Sequence, residues 1–160
     1  MSPTLGAAYP PHAVARSVRS QRSGTARQEQ PRSGGRIPRA MAHVLIVDDT
    51  EIVRKALELA LKRMGHEIES ASSALVALEL AQARPPDLAL LDVCMPVMDG
   101  VTLLREMRIA LGDRCPKVIF ISALPPEVLH PSTVSRVAGF VKKPFLLEDL
   151  SRAVVSALAS

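Results

Sequence analysis

Four short apolar runs, each closing on a charged or hydroxyl side chain, constrain this 160-residue chain more than any other feature. V-L-I-V precedes Asp48 and Asp49, L-A-L-L precedes Asp92, K-V-I-F-I precedes Ser122, and G-F-V-K precedes Lys143 and Pro144. Runs that are apolar without alternation belong to strands covered on both faces, which points to a parallel sheet. Parallel neighbours need crossover connections, usually helices. The segments between the runs supply them. Glu51–Met64 carries Val53, Leu57, Ala60, Leu61 and Met64 at helical spacing and is stopped by Gly65. Ser73–Ala83 is a second helix with Ser72 or Ser73 as N-cap, ended by Pro85-Pro86. Thr102–Leu111 is a third and Leu147–Ala159 a last one.

With strands expected at His43–Val47, Glu67–Ala71, Asp87–Leu91, Lys117–Ile121 and Gly139–Val141, the order is strand then helix, five times. That order implies a parallel sheet with helices on both faces and right-handed crossovers. The fourth helix, expected over Glu127–Arg136, has Pro131 inside it, where proline removes a backbone donor. Aromatic residues make up 2% of the chain, so the core is aliphatic. No apolar stretch reaches the roughly 20 residues of a membrane helix. The longest candidate, Leu88 to Met98, is interrupted by Asp92 and Pro96.

The net charge of +4 divides unevenly. Residues 1–40 hold seven Arg and one acid, Glu29, for +6, and residues 41–160 hold 13 bases and 15 acids, for −2. A nucleic-acid partner would need a basic face on the folded part, and the sequence displays none. Residues 1–40 also contain five Pro, five Ser and four Gly with no apolar period, a composition that does not bury enough surface to fold. Residues 1–41 are therefore expected to be a disordered tail and 42–160 the folded domain. The tail is open to three readings: a start site misplaced upstream of Met41, a genuine arm, or an organellar transit peptide. Cys94 and Cys115 have no CxxC spacing and read as reduced cytosolic thiols.

In an open α/β sheet, ligands bind at the carboxyl ends of the strands. Asp48, Asp49, Asp92, Ser122 and Lys143 would all meet there. Adjacent carboxylates repel unless a cation or proton lies between them, and Mg²⁺ is commonly held by one or two carboxylates with waters and phosphate oxygens. Asp92 can accept a phosphoryl group as an acyl phosphate. The Ser122 hydroxyl can donate to a phosphoryl oxygen, and small Ala123 leaves room for it. Lys143, made extended by Pro144, can pair with phosphate, while Lys142 should face the other way. Singly, each residue also reads as a turn or solvated charge. Pro96 and Gly100, in V-C-M-P-V-M-D-G, turn the chain back sharply after Asp92.

Asp48-Asp49, Asp92 in L-L-D-V-C-M-P-V-M-D-G, Ser122-Ala123 and Lys143-Pro144-Phe145 together resemble the receiver domain of bacterial two-component response regulators. The resemblance covers about residues 42–158. It implies a flavodoxin-like, doubly wound (βα)5 fold in one domain with strand order 2-1-3-4-5. It implies that Asp92 is the phosphoacceptor, served by a sensor histidine kinase or a histidine phosphotransfer protein. Mg²⁺ would be held by Asp49, Asp92 and the backbone carbonyl of Cys94, with Asp48 acting largely through water. Ser122 and Lys143 would bind the phosphoryl oxygens, and Phe140 would be the aromatic switch that follows Ser122. Such a protein is cytoplasmic and is not a turnover enzyme.

Two departures from the family pattern stand out. Pro125, Pro126 and Pro131 crowd the region of helix four, which should be short, irregular or displaced. Cys94 and Leu124 flank the phosphoryl position and are poor at orienting water, so the phosphoaspartate should be long-lived. No output domain follows the last helix, which suggests a stand-alone regulator acting on an unknown protein target, with no direct nucleic-acid or membrane partner. The alternative is a receiver-like binding module without phosphotransfer. Enzymes fit less well. A phosphatase of the haloacid dehalogenase type would want D-x-D where this chain has D-D-T, and a dinucleotide enzyme would want a Gly-rich first turn.

Overall fold

A computed structural model describes residues 41–160, so the expected tail, Met41 apart, lies outside the described residues. Five strands form one parallel sheet: β1 (His43–Val47), β2 (Glu67–Ala71), β3 (Leu88–Asp92), β4 (Lys117–Ser122) and β5 (Gly139–Lys142). Their order is β2-β1-β3-β4-β5, the expected doubly wound arrangement. The connecting helices are α1 (Glu51–Arg63), α2 (Ala74–Ala83), α3 (Gly100–Leu111), α4 (Pro131–Val134) and α5 (Leu147–Ala159).

The two-residue period of the strands sorts the core into two layers. Leu45, Val47, Ala89, Leu91, Val118 and Phe120 pack with α2 and α3. Val44, Ile46, Leu88, Leu90, Ile119 and Ile121 pack with Leu57 and Leu61 of α1 and with Leu150 and Val154 of α5. These side chains are almost fully buried, and each except Ala89 contributes on the order of 2 kcal/mol. Small Ala74, Ala77 and Ala81 form the buried face of α2.

The punctuation follows local chemistry. Gly65 takes φ +85°, with the Gly65 N–H on the Lys62 carbonyl and the His66 N–H on the Leu61 carbonyl, the paired closure that a left-handed residue permits after a helix. Ser73 caps α2 by accepting from the Val76 N–H. The third helix begins two residues earlier than its apolar pattern suggests, because Asp99 accepts from the Thr102 N–H at 2.7 Å and starts it at Gly100.

The fourth helix departs most from the ten residues expected. A single 3₁₀ turn spans Pro126–Val128, the chain extends through Leu129 and His130, and α4 runs only Pro131–Val134. Proline disfavours helical geometry in the residue before it. His130 is accordingly extended (φ −61°, ψ 134°), and its Nδ1 accepts from the Ser132 N–H. Pro131 therefore starts a helix rather than lying inside one.

Candidate functional site

The register aligns the strand ends. Val47 of β1 sits opposite Leu91, Asp92 opposite Ile121, and Ser122 opposite Lys142. Residues one step past these strands, Asp48 and Lys143, therefore reach the same rim as Asp92 and Ser122. Asp48, Asp92 and Ser122 are buried, while Asp49 is exposed at the mouth. One carboxylate oxygen from each of Asp48, Asp49 and Asp92 lies within 4.8 Å of the others.

A single ammonium neutralises part of this charge. Lys143 Nζ lies 2.6 Å from Asp48 Oδ2 and 3.3 Å from Asp92 Oδ2. Lys142 points outward and is exposed, as strand alternation requires. Asp48 Oδ1 accepts from the Thr50 N–H at 2.8 Å, and Asp92 Oδ1 accepts from the Cys94 N–H at 3.2 Å. Burial pushes the Asp92 carboxyl above the ordinary carboxylate range. Lys143 and the Cys94 N–H oppose that rise, and the charge of Asp48 adds to it. Burial works against the Lys143 ammonium, yet its bond to Asp48 and the charge of Asp92 hold its pKa above the usual lysine value. Lys143 is drawn closer to Asp48, which leaves Asp92 the less compensated acid.

Ser122 is fully buried, and its Oγ accepts from the Leu124 N–H at 3.1 Å. Cys94 Sγ is 3.9 Å from the same hydroxyl. Phe140 is half-buried against the α2–α3 layer and pairs with Phe120, which lies two residues before Ser122. Ser122 and Phe140 are thus diagonal neighbours on one face of the sheet.

Two contributors escaped the sequence reading. Arg54, in the first turns of α1, donates from Nη1 to the Asp48 carbonyl oxygen at 2.7 Å and ties the acidic turn to the helix. Its signal was weak: an arginine on a first helical turn leans back toward the preceding loop. The second is the reason for Gly100. Beyond allowing a turn, it brings backbone against backbone, since a Cβ there would lie 2.3 Å from the Asp92 carbonyl oxygen. The Gly100 N–H also bonds the Val93 carbonyl, which clamps the loop after Asp92.

The donor set suits a hard cation. Opposite ligands of an octahedral Mg²⁺ lie about 4.2 Å apart, given bonds near 2.1 Å. Adjacent ligands lie about 3.0 Å apart, so the three carboxylate oxygens, within 4.8 Å of one another, would draw together around the ion. Asp48, Asp49 and Asp92 would hold the ion.

A family model described as the response regulator receiver domain matches residues 44–155. The chain is 34% identical over 114 residues to the response regulator MprA of Mycobacterium sp. (strain KMS), covering 67% of this chain and 46% of that protein. It therefore spans about half the length of this curated relative. Among solved structures, chemotaxis protein CheY4 of Vibrio cholerae superposes with a TM-score of 0.65 at 28% identity, over 74% of this chain and 99% of that one. The receiver domain of a sensor histidine kinase from Pseudomonas aeruginosa PAO1, described with a magnesium ion coordinated in the active site cleft, gives a TM-score of 0.64 at 22% identity. That alignment covers 76% of this chain and 100% of the other. At that identity the likeness is one of fold.

Proposed function

The chain belongs to the response regulator receiver family, and on that premise we propose that it accepts a phosphoryl group on Asp92 and signals through the protein contacts that phosphorylation changes. Receiver domains are phosphoacceptor modules of two-component systems and take their phosphoryl group from histidine kinases or phosphotransfer proteins. The supporting observation is the sharing of one ammonium, that of Lys143, between Asp48 and Asp92, which leaves Asp92 under-compensated inside the crevice.

In this reading an Asp92 oxygen bonds the incoming phosphorus as the bond to the donor histidine breaks, giving an acyl phosphate and a free imidazole. The negative charge leaves the carboxylate and gathers on the phosphoryl oxygens. Lys143 then pairs with those oxygens. Asp49, Asp92 and the Cys94 carbonyl would hold Mg²⁺, with Asp48 acting largely through water, and the ion would supply positive charge that screens the approaching phosphate. Ser122 turns its hydroxyl from the Leu124 N–H toward the phosphoryl group, and Phe140 follows into the space vacated. The change is a local electrostatic event that biases a packed element with two arrangements.

We take residues 42–160 as the working unit, acting in the cytoplasm. Its partners are a sensor histidine kinase or phosphotransfer protein upstream and a protein target downstream. Its own phosphorylation and dephosphorylation chemistry makes it no turnover enzyme. The test is a purified chain incubated with Mg²⁺ and acetyl phosphate, followed by intact mass. A gain of one phosphoryl group that disappears in Asp92→Asn supports the proposal. No gain, or one that survives the substitution, favours a receiver-like binding module.

A further inference from the structure

Between α3 and the short α4 lies a second cavity, of about 220 Å³, lined by none of the acidic strand-end residues. Arg105 and Arg108 line it from α3, and Arg136 lines it from just past α4. Thr102, Ser132 and Thr133 add three hydroxyls. Arginine is the side chain best suited to phosphate, because its planar fork donates two parallel hydrogen bonds. Hydroxyl donors beside guanidinium groups complete the usual complement of a phosphate site.

The charges at this cavity are poorly balanced. Residues 41–160 sum to −2, yet three cations converge here. Arg105 is bonded to Glu106, at 3.1–3.2 Å, in an exposed pair between adjacent residues, the kind of contact that contributes little. Arg108 donates to the Arg136 carbonyl oxygen at 2.6 Å and so bridges α3 to the segment after α4. The Arg136 guanidinium has no hydrogen bond or ion pair among the described residues. Like charges around one cavity repel, and an anion between them removes that cost.

We propose that this cleft binds a compact phosphate-bearing small molecule, with Arg105 and Arg136 as its principal ligands and Thr102, Ser132 and Thr133 as hydroxyl donors. The volume supports a compact occupant, since drug-sized ligands need about 300 Å³ or more. The site exists because α4 is short. Pro131 delays the helix start, and the segment that follows brings Arg136 across to α3. An anion spanning Arg105 and Arg136 would tie the two sides together and slow opening of the α4 segment.

The experiment titrates the ¹⁵N-labelled 160-residue chain, without Mg²⁺ and at constant ionic strength, with inorganic phosphate and separately with adenosine monophosphate. Without the cation, the carboxylates at Asp92 repel either probe. The expected result is saturable shifts confined to residues 102–108 and 132–136, with a Kd on the order of 1 mM or tighter for at least one probe. Arg136→Gln should weaken it about tenfold, the scale of one lost charge-assisted bond, and Arg105→Gln with Arg136→Gln should abolish it. Both side chains are exposed, so the variants should keep the wild-type spectrum elsewhere. If both probes saturate, the cleft reads the phosphate; if only the monophosphate does, it also reads the attached body. Shifts that grow linearly, as with sodium chloride, overturn the proposal. So do saturable shifts at Ser122 and Ala123 instead, or an unaltered titration of the double variant.

Discussion

Lys143 bonds Asp48 at 2.6 Å and stands farther, at 3.3 Å, from the Asp92 oxygen that it also faces. The lysine thus serves first as the counter-ion of a buried acid at the end of β1, across 95 residues of sequence. Two carboxylates lean on one ammonium, and the balance between them governs both stability and reactivity.

Removing the ammonium leaves Asp48 and Asp92 buried and uncompensated. Lys143→Ala should destabilise the fold by about 2–4 kcal/mol, somewhat less than a fully enclosed pair because the lysine keeps some contact with solvent. A divalent cation can take over its role. Millimolar Mg²⁺ should therefore raise the melting temperature of Lys143→Ala more than that of the wild type, as differential scanning fluorimetry would read. Equal rises would contradict the shared-cation account.

The raised pKa of Asp92 has the opposite sign for stability. Its ionised form is disfavoured in the folded state, so ionisation costs stability as pH rises through the unfolded-state value, and the full cost is present above the folded-state value. Asp92→Asn should stabilise the protein at pH 7, on the order of 1 kcal/mol. The advantage should vanish below the unfolded-state carboxylate pKa, where both states bind the proton. Urea midpoints at neutral and acidic pH would check this, and an acid-independent advantage would refute it.

Gly100 has no room for a side chain. A Cβ would meet the Asp92 carbonyl oxygen at 2.3 Å, and the atom in the way is backbone. Gly100→Ala should cost about 2 kcal/mol or more through displacement of the loop. It should also slow phosphorylation by acetyl phosphate at saturating Mg²⁺, because the shift falls on Asp92, the proposed phosphoacceptor. Phosphorylation at the wild-type rate would show that the loop relaxes elsewhere.

The lifetime of the acyl phosphate should be long. Cys94 lies beside Ser122, and Leu124, two residues on, is exposed; neither side chain orients an attacking water well. Leu124→Glu or Cys94→Asn should shorten the lifetime by supplying acceptors for that water. Loss of the phosphoryl group from the wild type within seconds, followed on a Phos-tag gel, would contradict the reading.

Much of this molecule is written locally. The unalternating apolar strings at β1, β3 and β4 require cover on both faces, and that requirement already implies a parallel sheet. Leu57 and Leu61 sit at helical spacing and fall into the core, and Gly65 ends α1 with the positive φ its neighbours would resist. Arg54 was not legible because its partner is a backbone carbonyl, which no residue pattern announces. The fourth helix was legible only in part. The three prolines signal disruption, but where helix resumes depends on His130 being extended and on its ring accepting from Ser132.

The sequence by itself determined the layered fold, the strand ends as the meeting place, and the residue types gathered there. Those follow from periods of two and 3.6 and from the rule that strand ends carry ligands, all of them local or topological. Only the tertiary structure decided how charge is shared. It gave Lys143 chiefly to Asp48, left Asp92 the less compensated acid, pressed Gly100 against the Asp92 backbone, and brought Arg136 to face α3. Distances between groups far apart in sequence set electrostatic energies, and those distances exist only once the sheet register and the length of α4 are fixed.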